Sequence, residues 1–162
     1  MRTLALITLL SSTVLAQNSA PSLQFRGEPG SKHATIVASP TNLGAAPGGK
    51  VTLFLDVTPK PGIHVYAPGT KDYIPISLKL DPSAGVKPGK MTYPKSEIMT
   101  FGDEKVPVFQ KPFRLAQEVT LDKSAASGAS VSVAGTVHLQ ACDDRVCFPP
   151  ENVPITWNVT VK

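Results

Sequence analysis

The chain has 162 residues, with 16 Lys and Arg against 12 Asp and Glu, and its basic residues stand mostly singly rather than in runs. That spacing excludes the clustered positive charge that grips nucleic acid, so no nucleic-acid partner is expected. Sixteen prolines and twelve glycines disfavour long helices and favour short strands joined by turns.

Arg2, the apolar run Leu4 to Leu10 and the small-residue end Val14-Leu15-Ala16 follow the order of a secretory signal peptide. The apolar run is too short to span a membrane. Residues 1–16 are therefore expected to be removed near Ala16, leaving the mature protein in the periplasm or secreted. Gln17 to Lys162 leaves 146 residues, enough for one domain with a real core. No later stretch approaches membrane-spanning length, so a soluble mature chain is expected. Residues 17–31 are polar and broken by Pro and Gly, a flexible leader ahead of a domain over 32–162.

Beyond the leader come short runs of strand type. Ala34 to Ala38 is the first. Val51 to Val57 alternates, with Val51, Leu53, Leu55 and Val57 on one face. Ile63 to Tyr66 is short. Ile74 to Leu80 places Ile74, Ile76, Leu78 and Leu80 inward. Val106 to Phe109, Phe113 to Leu121, Ser130 to Gln140 and Ile155 to Val161 complete the series. Turn chemistry separates them: Pro-Gly-Gly at 47–49, Pro-Gly at 61–62, 68–69 and 88–89, and Ser-Gly at 127–128. Eight or nine short strands at this spacing, with no convincing helix and no repeat, predict one all-β domain, a sandwich or small barrel.

The two cysteines, Cys142 and Cys147, fall where the long strand from Ser130 ends and the last strand has yet to begin. Asp143-Asp144-Arg145 between them is polar and turn-forming. In an exported chain a disulfide can persist, and a bridge across so short a loop is feasible. Its entropic value is small: a loop of about six residues yields ~2 kcal/mol, against ~4–5 kcal/mol for one of about a hundred. The position is poor for a staple and good for access by a partner thiolate. Spacing alone leaves a structural and an exchanged bridge open. The local charges leave it open too, since the aspartates disfavour a thiolate and Arg145 favours one.

Other residue clusters carry less. His33, His64, His138, Met91 and Met99 have soft-metal chemistry but are scattered over separate strands without paired spacing, so no metal site is expected. Trp157 alternates with Ile155 and Val159 and reads as core. Asn158-Val159-Thr160 fits a glycosylation pattern but lies inside a strand. No catalytic triad, phosphate loop or cofactor motif is present, and no cofactor is expected.

Gln140-Ala141-Cys142-Asp143-Asp144, then Val146-Cys147-Phe148-Pro149-Pro150-Glu151, resembles the cysteine segment of the periplasmic N-terminal domain of the thiol:disulfide interchange protein DsbD. Pro61-Gly62-Ile63-His64-Val65-Tyr66 is similar to that family's strand beside the cysteines. Tyr93-Pro94 with Phe101-Gly102 is more loosely similar to its aromatic cap region. The resemblance implies an immunoglobulin-like antiparallel β-sandwich, here as a stand-alone exported domain. It also implies a redox-active pair, Cys142 and Cys147, in which Cys147 forms the mixed disulfide and Cys142 resolves it. His64, Tyr66 and Phe101 are the residues it implies as shielding. The implied partners are a thioredoxin-like protein or domain, a membrane thiol transporter and substrate proteins with disulfides. Such a domain is an electron carrier rather than a self-sufficient enzyme. The competing expectation is a non-catalytic immunoglobulin-like binding module whose disulfide pins a hairpin.

Overall fold

A computed structural model describes residues 30–39, 44–82 and 85–162. The expected signal peptide and nearly all of the leader lie outside these residues. Twelve strands and no helix are found among the described residues. They are β1 (Ala34–Ala38), β2 (Gly44–Ala45), β3 (Lys50–Pro59), β4 (His64–Tyr66), β5 (Ser77–Leu80) and β6 (Val86–Thr92). There follow β7 (Glu97–Phe101), β8 (Glu104–Phe109), β9 (Phe113–Leu121), β10 (Ser130–Leu139), β11 (Ala141–Cys142) and β12 (Glu151–Val161).

Two sheets, ordered β1-β3-β9-β6 and β2-β12-β10-β5, make the two layers of an immunoglobulin-like sandwich. The pairings are antiparallel except for the short parallel contact of β2 with β12. Alternation explains the core directly. Val51, Leu53, Leu55 and Val57 from β3 meet Val133, Val137 and Leu139 from β10, and Val153, Ile155, Trp157 and Val159 from β12, in one buried cluster. Trp157 is core as expected, and its indole N–H also donates to the Phe54 carbonyl across the layers at 2.9 Å.

Beyond β2, β7 and β11, which the sequence series does not contain, three elements depart from the sequence pattern, each for a local reason. The run from Ile74 yields a strand only from Ser77, because the Ile76 amide donates to the Tyr66 carbonyl and the Ile74 amide to the Gln140 side chain. Pro88-Gly89, expected as a turn, lies inside β6 at an irregularity of register between Pro88 and Met91. This strand is an edge of its sheet, where a proline without an N–H breaks no ladder. The last strand starts at Glu151 rather than Ile155, and its Pro154 is accommodated beyond the reach of β2, which pairs only at Thr160 and Val161.

A third, smaller sheet, ordered β11-β4-β8-β7, closes one end of the sandwich. Its inner face adds Val65, Phe109 and Ala141 to the main core. Its other face carries a separate cluster of Tyr66, Val106, Val108 and Cys142, with Tyr73, Met99 and Phe101 packed against it. The cysteine chemistry sits on this second face.

Candidate functional site

The chain reaches the site by changing sheets. Leu139 ends β10 in the main sandwich, and two residues later Ala141 and Cys142 pair with Val65 and His64 of β4 in the small sheet. Gln140 spans the switch with its side chain. Its Oε1 accepts from the Ile74 amide, and its Nε2 donates to the Phe148 carbonyl, both at 3.3 Å. The glutamine supplies hydrogen bonds that a ladder cannot provide at a strand crossing.

Cys142 and Cys147 are joined by a disulfide, and no free cysteine remains. The hairpin between them is tight, for reasons independent of sulfur. The Asp143 amide donates to the Val146 carbonyl at 3.0 Å, and the Phe148 amide donates to the Ala141 carbonyl at 2.9 Å. The Asp143 carboxylate accepts from the Arg145 and Val146 amides at 2.7 and 2.8 Å, the local capping that Asp supplies in turns. Those amide bonds, from Val146 and then Arg145, hold the Asp143 carboxyl below the usual carboxylate range.

The two sulfur-bearing residues differ in access. Cys142 is only 1% exposed, whereas Cys147 is exposed, flanked by exposed Val146, Pro149 and Pro150. Phe148 anchors the exit. It stacks on His33 with ring centroids 3.9 Å apart, and the His33 ring is itself paired with Glu151.

Tyr66 lies two residues beyond His64 on β4 and therefore on the same face as Cys142. Its hydroxyl is 3.4 Å from the Cys147 sulfur, and its ring stacks on Tyr73 at 4.2 Å. Burial, then the influence of Tyr73 and Glu104, pushes that hydroxyl up to about 12, so it stays protonated and able to donate at neutral pH. His64 is 2% exposed and meets Tyr66 edge-on at 5.4 Å and Phe101 at 5.5 Å. Burial pushes its pKa down against the opposing pull of Asp144 and Asp143.

Phe101 is the last residue of β7, at the tip of a hairpin turning through Gly102, which has φ of 59°. The aromatic expected in a cap loop is thus carried by a paired strand whose end packs over the cysteine cluster.

The structure therefore brings Cys142, Cys147, His64, Tyr66 and Phe101 together. His33 and His138 lie elsewhere, the latter bonded to Asn152 at 2.8 Å, and among the described residues no group of three or more His, Cys, Asp or Glu could hold a metal. Sequence reasoning missed Tyr73 and Met99, which belong to no alternating pattern near the cysteines. The turn expected at Asp143-Asp144-Arg145 is present, and Asp143 forms it by accepting from the Arg145 and Val146 amides.

Among solved structures, the chain is similar to the reduced N-terminal domain of DsbD from Neisseria meningitidis, at 16% identity and TM-score 0.47, covering 79% of this chain and 84% of that one. It is also similar to the N-terminal periplasmic domain of ScsB from Proteus mirabilis, at 14% identity and TM-score 0.50, covering 76% of this chain and 46% of that one. No curated protein matches the chain. The family model for the N-terminal part of thiol:disulfide interchange protein DsbD matches residues 34–157, a span holding both cysteines, β4 and the β7–β8 hairpin. The chain belongs to the DsbD N-terminal domain family of thiol:disulfide interchange proteins.

Proposed function

We propose that this protein is an exported thiol–disulfide carrier of the periplasm. In this reading it passes electrons between a thioredoxin-like protein or membrane thiol transporter and the disulfides of substrate proteins. The observation that carries the reading is the asymmetry of the bridged pair, with Cys147 exposed and Cys142 buried beneath it. Exchange needs one sulfur that a partner thiolate can reach in line and a second that resolves the mixed disulfide within the same encounter. Cys147 takes the first role and Cys142 the second. His64, Tyr66 and Phe101 shield the pair on the side away from the core.

A purely structural bridge is less well supported. The hairpin is already closed by the Asp143 turn and by the Phe148–Ala141 hydrogen bond, so the disulfide adds little to its shape.

Trapping in extracts of the native host tests the reading. Cys142→Ser, with Cys147 intact, should accumulate disulfide-linked adducts with a thioredoxin-like protein of the exported compartment. Cys147→Ser should accumulate far fewer. Equal trapping overturns the assignment of roles, and no specific adduct from either variant overturns the carrier reading in favour of a binding module.

A further inference from the structure

His64 carries the one buried histidine nitrogen without a hydrogen-bond partner among the described residues, its Nε2. Burying an imidazole nitrogen unpaired is costly, so its retention at a reactive centre calls for an explanation. The position suggests one. His64 is the direct cross-strand neighbour of Cys142, so their side chains leave the same face of the small sheet, where paired Cβ atoms lie about 5 Å apart. His64 also lines a pocket of about 220 Å³ together with Met99, Gln110 and the exposed Asp144.

Resting on the carrier reading above, we infer that His64 exchanges the proton of Cys142, acting as base when that thiol attacks and as acid when it departs. In the oxidising direction Cys147 has already attacked an external disulfide and holds a mixed disulfide. The Cys142 S–H then gives its proton to His64 Nε2 while its sulfur attacks the Cys147 sulfur. The bond from Cys147 to the external sulfur breaks, and that sulfur leaves with the electron pair and is protonated by solvent. The cysteine pair loses two electrons, and the external disulfide becomes two thiols. In the reverse direction an external thiolate attacks Cys147, the electron pair of the Cys142–Cys147 bond passes to Cys142, and His64 takes up a proton from solvent and delivers it to that buried sulfur.

The surroundings suit this work. Burial favours the neutral imidazole, which has a lone pair to offer. The titratable groups near it are Cys142 on β11, Tyr66 on its own strand with Tyr73 and Glu104 behind it, and Asp143 and Asp144 in the hairpin. The aspartates stabilise the imidazolium once it forms. From β7 the ring meets only neutral Phe101 and, across the pocket, Met99.

The test uses reduced protein and 5,5′-dithiobis(2-nitrobenzoate), which needs no protein partner. A first release of chromophore reports attack by Cys147, and a second reports resolution by Cys142. His64→Phe keeps an aromatic ring over the cysteines and removes both nitrogens. It should lower the ratio of second-phase to first-phase rate at least about tenfold at pH 7. The gap should narrow as pH rises, because hydroxide then competes with His64 for the Cys142 proton. An unchanged ratio, or a gap constant with pH, leaves His64 a shielding ring only and overturns the inference. Because no partner protein takes part, that result is distinct from a failure to trap adducts, which bears on the carrier reading. A second measurement needs no variant: the His64 ring followed by NMR should titrate at higher pH in reduced than in oxidised wild-type protein. An identical midpoint in both forms overturns the proposal as well.

Discussion

The bond between Cys142 and Cys147 joins residues five apart in sequence, and the value of such a bond lies mainly in what it denies the unfolded chain. For a loop of about six residues the chain-entropy model yields about 2 kcal/mol. Little is to be added from the folded side. The Asp143 carboxylate's bonds to the Arg145 and Val146 amides, the Phe148–Ala141 hydrogen bond and the β11–β4 pairing involve no sulfur, so reduction is expected to leave them in place. Reduction should therefore leave the sandwich folded and lower its stability by about 2 kcal/mol or less. By linkage, the native bridge should be harder to reduce than the same bridge in the unfolded chain by only about 45 mV. Urea titrations of oxidised and reduced protein, read by the fluorescence of Trp157, the sole tryptophan, measure the difference. The slope with urea should stay nearly constant. A reduced protein that is unfolded without denaturant, or less stable by more than about 5 kcal/mol, would refute the reasoning. Equilibration against glutathione gives an independent check, since structural disulfides generally lie below about −300 mV.

Three further outcomes are expected. Trp157→Phe removes the hydrogen bond to the Phe54 carbonyl that ties the two layers, and should lower the urea midpoint by the equivalent of about 1–3 kcal/mol. The raised pKa of Tyr66 stabilises the fold fully below the ordinary tyrosine value of about 10, and that contribution is lost as pH rises towards about 12. Denaturation midpoints between pH 9 and 12 should therefore fall less steeply in Tyr66→Phe. A fall of wild-type steepness in the variant would contradict the burial of this hydroxyl. Asp143 is the opposite case. Its lowered pKa contributes to the hairpin above the usual carboxylate value of about 3.9, and the contribution is lost as pH falls through the lower folded value. Reduction of the bridge by a phosphine should accelerate in that acidic range relative to Asp143→Ala, which should be the faster of the two at neutral pH.

Much of the sandwich is legible in the chain because burial on one face of a strand forces a period of two. Phe113–Leu121 has the expected limits, and Ser130–Leu139 ends one residue short of them. The cysteine segment was equally visible, since its residues are contiguous and Asp143 shapes the hairpin through its own neighbours. The pattern fails wherever a partner distant in sequence sets the outcome. Gln117 is polar yet buried in register, because its side chain bonds the Gly89 carbonyl at the irregular part of β6. Gln140 bridges Ile74 and Phe148 where one strand passes between sheets, and the Tyr66 hydroxyl meets the Cys147 sulfur across 81 residues. Nothing in the composition or alternation around Phe101 places it on a hairpin tip above Cys142. Local sequence determines which residues turn inward and where a reactive hairpin forms. Long-range pairing of β11 with β4, and of β4 with β8 and β7, decides which side chains surround its sulfurs, because proximity there is created by closing loops rather than by neighbouring bonds.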